Sequence, residues 1–559
     1  MQKKIPVVAE QGLMMANKIL KLSSLLLLGM VILAKLGFAN NLTINNFEVS
    51  NIDIVNKRIA YTCDISWNNG WKTTINNDAV WAFMKYSLDG GQTWKHASMN
   101  GSGKNPLGFV VPNNYEIIVP SDEKGFFLQR SSFGTGDTVV TGIKFIWDYA
   151  QDGLTDEQAK AANTINRIFG VEMVYVPEGS FYLGDGASSS EYKFQKGSAD
   201  TNPWYLTSED AITTTNAAAD GYYYQSSGAS GESATGSVFV IPTSFPKGVK
   251  AFYQMKYELT EGQWISFFNA LTPAEKINRD ITSANLGGKN SDSIVDRNTI
   301  AWDVSKPNTM ATTLRPDRPV SYLSWMDLLA YADWAGLRPM TELEFEKSSR
   351  GKDIAPVADE FAWGKNTYNA ADPSGIYPDA AEDGTEQIFD GNANLNRNNG
   401  AWSSGDGRVG GNAQGQKGPL RAGIFAEAST NRTTSGAAYY GAMEMSGNLY
   451  EMVVTVGKTQ GRQYLGTHGD GNLSNVAGYE GNATNNDWPG IDVTDAARGV
   501  TTTIGSGYRG GDFQSPNIRH FQLSNRTFAV KDPDSEGFYS RYDARFGVYG
   551  GGRLVRTAP

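Results

Sequence analysis

Alternation of apolar and polar residues dominates the first 150 positions. The runs Phe47-Glu-Val, Ile52-Asp-Ile-Val, Arg58 to Trp67 and Val80 to Tyr86 either alternate or are β-branched and aromatic throughout. Tyr115 to Val119 and Val139 to Trp147 behave in the same way. This period predicts half-buried or fully buried strands. About seven short strands punctuated by Asn, Gly and Asp predict an all-β sandwich of immunoglobulin or fibronectin type over residues 40–150. Cys63 falls on a strand position and is expected as a small buried hydrophobe.

Inside this region, Ser87-Leu-Asp89-Gly-Gly91-Gln-Thr93-Trp94 resembles the Asp-box, S-x-D-x-G-x-T-W. Asp89 can accept backbone amides, the two glycines supply positive φ, and Trp94 can staple the hairpin. A single copy predicts a turn, not a propeller.

The period changes after residue 150. Thr155-Asp-Glu-Gln158 is a capping box, and Ala159, Ala162 and Ile165 would form a short helical face within a linker, 151–170. Val171 to Pro177 reads as a strand, followed by Gly179-Ser-Phe-Tyr-Leu-Gly184. Residues 185–240, rich in Ser, Gly, Ala and Thr, predict a loop-rich insertion with some strand. Three amphipathic helices follow. They start at the boxes Thr260-Glu-Gly-Gln263, Ser324-Trp-Met-Asp327 and Thr341-Glu-Leu-Glu344. The first carries Trp264, Phe267, Phe268 and Leu271 at i, i+3, i+4 and i+7. From about residue 370 onward, Gly, Asn and Asp dominate and helix signals vanish.

Composition narrows function mainly by exclusion. The chain has 559 residues, 40% hydrophobic and 19% charged, which is ample for packed cores. A formal charge of −10 makes nucleic acid an unsuitable partner, because phosphate binding needs a basic footprint. One Cys and three His leave no material for an internal disulfide, a CxxC pair or a thiolate metal cage. The N-terminus, residues 1–39, reads as a signal peptide. Lys18 and Lys21 precede the apolar run Leu22 to Ala34, and Gly37-Phe38-Ala39 gives a small-x-small cleavage site. That run is too short to cross a bilayer of ~30 Å as a helix, so no membrane span is expected after cleavage. A secreted or cell-surface location follows.

From Val171 the chain resembles the formylglycine-generating enzyme, or sulfatase-modifying factor, family. The landmarks, in order, begin with Val171 to Gly184, Tyr257-Glu-Leu-Thr260 and Arg318-Pro-Val-Ser321-Tyr-Leu-Ser-Trp325. Leu337-Arg-Pro-Met-Thr341-Glu-Leu-Glu344-Phe-Glu346 and Phe361-Ala-Trp363-Gly364 come next. Met443-Glu444-Met-Ser-Gly447-Asn448-Leu-Tyr450-Glu451, Tyr508-Arg-Gly510-Gly511-Asp-Phe513 and Arg553-Leu-Val-Arg556 complete the series. The resemblance implies an irregular α+β unit of the C-type-lectin kind over 171–559. With the β-domain in front, the chain is similar to a group of secreted Bacteroidetes-type proteins.

The resembled enzyme holds copper(I) on two cysteine thiolates, soft ligands for a soft ion. Here Ser515 and His520 stand near those two positions, and Arg519 lies beside them. The resemblance therefore implies no copper and no catalytic residue, with Ser515, Arg519 and His520 as the remnant of a cleft. It also implies calcium sites. One would use the side chains of Glu444 and Glu451 with the carbonyls of Gly447 and Leu449, hard oxygen donors suited to Ca²⁺. A second would use Asn394, Leu395 and Asp406.

The function expected from these readings is a secreted or cell-surface, non-catalytic binding or structural protein. Its partner would be a protein or a glycan at the cell surface, with self-assembly as a further expectation. One alternative is an enzyme of the same superfamily running non-copper chemistry. Another is a ligand-binding protein diversified by a retroelement across residues 507–553.

Overall fold

The computed structural model describes residues 42–188, 192–197, 201–215, 221–224, 238–284, 287–371, 392–397, 418–427, 429–530 and 550–559. Residues 1–39, read as a signal peptide, lie outside them. The described part is mostly sheet with few helices.

Strands β1 (Thr43–Asp53), β2 (Arg58–Lys72) and β6 (Gly134–Asp148) form a three-stranded antiparallel sheet with β2 in the centre. Between β2 and β6 come β3 (Asp78–Ser87), β4 (Tyr115–Val119) and β5 (Phe126–Arg130). These belong to a second sheet of nine strands. That sheet continues through β7 (Ile165–Val176), β8 (Phe252–Met255), β9 (Arg338–Pro339) and β13 (Leu554–Thr557). Strand β3 pairs with β7 in unbroken antiparallel register, from Asp78 opposite Val174 to Ser87 opposite Ile165.

This pairing explains why β3 is apolar at nearly every position. Successive side chains of a strand point to opposite faces. Val80, Ala82, Met84 and Tyr86 pack into a cluster with Ile59, Tyr61, Cys63, Phe145 and Trp147 of the three-stranded sheet. Ala79, Trp81 and Phe83 face the other way, into a core shared with Trp264, Phe267, Leu328 and Trp334. One strand thus serves two cores, and all ten of its residues are buried.

The segment 151–170, expected as a linker, is built into this frame. The Thr155 capping box forms, but helix α1 spans only Asp156–Lys160. Ala161 is already extended and Ile165 begins β7, so the expected Ala159–Ala162–Ile165 helical face does not exist. Strand pairing with β3 outweighs the weak propensity of a five-residue helix.

The three expected helices form from their boxes: α2 (Glu261–Phe268), α4 (Trp325–Trp334) and α5 (Glu342–Arg350); α2 ends at Phe268, so Leu271 of its expected stripe lies beyond it. A fourth, α3 (Pro273–Arg279), starts at a box the sequence reading passed over, Thr272 to Glu275. The described parts of 185–240 hold the short strands Phe194–Lys196, Trp204–Leu206, Ile212–Thr213 and Tyr222–Tyr224. After residue 370 only α6 (Thr459–Arg462) and two 3-10 turns are helical among the described residues. The Asp-box is a closed turn. Asp89 accepts from the Gln92 and Thr93 amides and from the Thr93 hydroxyl, and Trp94 Nε1 donates to the Gly91 carbonyl.

Candidate functional site

Two strands frame the region where the landmark motifs converge. Strand β10 (Tyr450–Val454) pairs antiparallel with β11 (Ser506–Arg509), and Gly550–Gly551 (β12) adds to the other side of β10. The loop before β10 is conformationally demanding: Glu444, Gly447 and Asn448 have φ of 55°, 96° and 67°. Non-glycine residues enter this left-handed region only when surrounding bonds hold them there. Those bonds are present. Asn448 Nδ2 and the Leu449 amide donate to Glu258 at 2.7 and 2.9 Å. Asn448 Oδ1 accepts from Asn396 and Leu420, and the Gly447 amide donates to the Gly510 carbonyl.

The loop after β11 is anchored from below by buried charge. Arg509 donates to Glu342 at 3.0 Å, to Glu346 at 2.6 Å and to the Leu523 carbonyl at 2.8 Å. Arg526 also reaches Glu342, and Arg350 joins Glu346 to Glu360. Both glutamates of the first ion pairs come from α5, which places them one turn apart on a single face.

At the top of β10, the Tyr450 hydroxyl lies 3.1 Å from Ser515 Oγ and 3.4 Å from His520 Nδ1. Phe528 packs edge-on against both the Tyr450 and His520 rings. Asp512 accepts from the Gln514 and Ser515 amides, and burial pushes its carboxyl up to about 6. Ser515 and His520, paired in the sequence reading, are therefore brought together, with Tyr450 between them. Arg519 is exposed on the 3-10 turn.

The corner offers no thiolate donor. The chain's one cysteine, Cys63, is fully buried in β2, and burial pushes its thiol up to about 12. A serine hydroxyl and one imidazole bonded to a phenol do not fit copper(I), which takes thiolates.

The first expected calcium site fares differently. Glu444 and Glu451 are both buried, as is Glu258, which the sequence reading did not single out. One guanidinium, Arg553, sits among them. Its Nε donates to Glu451 at 2.6 Å, and its other nitrogens reach the Met443, Met255 and Lys256 carbonyls. Three buried carboxylates thus face one buried arginine. Burial raises Glu444 to about 7 and Glu258 well above its ordinary value, with Glu451 adding repulsion to Glu258. One oxygen each of Glu444 and Glu451 is buried without a hydrogen-bond partner. Orphaned carboxylate oxygens are the hard donors that a cation such as Ca²⁺ takes. Among the described residues, no three Asp, Glu, His or Cys side chains converge as a cage, so carbonyl donors would be required.

At the second expected calcium site, Asn394 already accepts from the Asn369 amide, and the Leu395 carbonyl from the Ala371 amide. Asp406 lies outside the described residues. His96 and His468, distant in sequence, both lie near Arg556. His468 lies 3.5 Å from Asp122, which pairs with Arg556, and His96 contacts the Lys124 carbonyl.

A family model described as "Sulfatase-modifying factor enzyme 1-like domain" matches residues 158–496, more than half of the chain. The formylglycine-generating enzyme of Bos taurus is 31% identical over 117 residues, covering 18% of this chain and 31% of that protein. That of Thermomonospora curvata is 44% identical over 50 residues, 9% of this chain and 16% of that protein. The hercynine oxygenase of Mycolicibacterium smegmatis is 34% identical over 85 residues, 13% and 20% respectively. The chain thus spans less than a third of the length of these relatives.

Proposed function

Because this chain belongs to the sulfatase-modifying factor enzyme 1-like family, we propose that it uses that scaffold to bind rather than to oxidise. One observation carries the reading: the only cysteine is sealed between two sheets, far along the chain from the Tyr450–Ser515–His520 corner. Without a pair of thiolates the corner keeps shape and polarity but lacks the soft ligands for copper(I). The ligand class is a protein or glycan at the outer surface of the cell, where the apolar N-terminal run would deliver the chain.

Calcium would be held by Glu444 and Glu451 with the Gly447 and Leu449 carbonyls, where it would neutralise carboxylate charge and brace the 444–451 loop. The two orphaned carboxylate oxygens support this assignment. Arg553 and Glu258 stay in place beside it, as the guanidinium already satisfies Glu451 Oε1 and Glu258 already satisfies Leu449.

A second reading is an enzyme with non-copper chemistry. The Ser515–Tyr450–His520 contacts favour it, since a phenol between a hydroxyl and an imidazole can pass a proton. The relatives carry enzyme names, which also favours it.

The test is direct. Purified protein, supplied with copper(I), oxygen and a sulfatase-type peptide bearing the target cysteine, is assayed for aldehyde. No aldehyde is expected; aldehyde above a copper-only control would overturn the binding reading. Turnover of another substrate that is lost in Tyr450→Phe would favour the second reading instead.

A further inference from the structure

At the far end of the β10–β11 ladder lies a groove of about 580 Å³, within the ~300–1,000 Å³ usual for ligand sites. Its lining reaches Ile504, next to the Gly505 carbonyl that accepts from the Thr455 amide. Thr455 lies five residue steps from Tyr450, just past the end of β10, roughly 16 Å at the usual strand rise. The groove is thus separate from the corner described above.

Its floor is Trp488 and Pro489, both buried. Its walls carry Leu465 and Val493, which are 53% and 89% exposed, and Ile491. The floor is held rigidly. Trp488 Nε1 donates to the Thr467 carbonyl, and Trp325 Nε1 donates to the Pro489 carbonyl. A preformed surface loses little order when a ligand docks.

The charge of the lining is one-sided. Asp487 and Asp492 line the groove, and among the described residues no Lys or Arg does. Arg498 pairs with Asp492 at 3.3 Å. Asp487 instead accepts from the Leu465 amide and the Thr467 hydroxyl, and no cation pairs with it among the described residues. An aliphatic trough beside an uncompensated carboxylate complements a cation carried next to apolar groups.

We propose that this groove docks a segment of another protein in which a lysine or arginine stands beside aliphatic side chains. The aliphatic groups fill the space over Trp488 between Leu465 and Val493, and the cation reaches Asp487.

The test uses the full chain and three short capped peptides, each with a fluorophore, read by anisotropy. They are lysine-leucine-leucine-arginine, glutamate-leucine-leucine-glutamate and lysine-serine-serine-arginine. Saturable binding of the first is expected, with the other two at least about tenfold weaker. Asp487→Asn should weaken the first peptide about two- to fivefold, the usual scale for one partly exposed charge contact. Leu465→Ser, on an exposed side chain, tests the apolar wall without threatening the fold and should also weaken binding. No saturable binding, equal binding of the acidic or serine peptide, or indifference to both substitutions would overturn the proposal. Because the groove and the Tyr450 corner are separate, neither result bears on the copper assay.

Discussion

Arg509→Met is the sharpest probe of what holds the corner in place. The guanidinium is fully buried, as are both of its carboxylate partners. Its removal strips Glu346 of its 2.6 Å contact and takes the Arg509 donor from the Leu523 carbonyl. Glu342 keeps Arg526 and the Val456 amide, and Glu346 keeps Arg350 and the Gly184 amide. Breaking a buried pair by deleting one partner costs about 3–5 kcal/mol. The surviving partners place the expected loss near the lower end, about 3 kcal/mol. Denaturant unfolding at fixed pH measures it. Hydrogen exchange adds a local readout: amides from 512 to 523 should exchange faster, while those of β2 should not. Adding Glu346→Gln to Arg509→Met should recover part of the loss, because an amide does not need the missing cation. A loss below about 1 kcal/mol for Arg509→Met would refute the reasoning, since a buried carboxylate cannot give up its cation so cheaply.

Three further outcomes are expected. Lys85 is fully buried with no hydrogen-bond partner for its Nζ, and burial lowers its amine to about 7. Facing it are Asp333 at the end of α4, raised to about 7 by burial and by Asp470, together with Asp470, Lys124 and His96. The unfolded chain binds more protons than the folded one between about pH 7 and 10.5, so this lysine makes stability rise with pH across that window. Lys85→Met should be more stable at pH 7 by about 1–3 kcal/mol and should lose the rise, as read from urea midpoints at pH 7 and 9. Calcium should raise the melting temperature and a chelator lower it, with the response abolished in Glu444→Gln. The Glu444 carboxyl is raised to about 7 by burial, so metal-free stability should fall as pH rises from about 4.5 to 7, and the calcium effect should grow over the same range. Deleting residues 42–164 should leave an insoluble or unfolded remainder, because β7 would lose its ten-residue partner β3 and the core would lose Trp81 and Phe83. A soluble, cooperatively melting truncation would contradict the shared-core account.

Much of this molecule was legible in local pattern. Strand β3 announced itself as a run apolar on both faces, and the boxes at Thr260, Ser324 and Thr341 marked the starts of their helices within a residue. The Asp-box and the 444–451 segment showed the turn-forming and carboxylate residues they use. These signals are readable because a side-chain period, a cap or a turn is set by neighbours a few residues apart.

What the chain order hid was every pairing across distance. Nothing in residues 78–87 says that one face belongs to a different core from the other, or that β7 will pair with them. Glu258 joins Glu444 and Glu451 from nearly 190 positions away. Tyr450 meets Ser515 and His520, and Lys85 meets Asp333, by the same kind of closure. Burial and charge depend on which segments become neighbours. That is decided when the sheets close over a common core, and no window of sequence contains it.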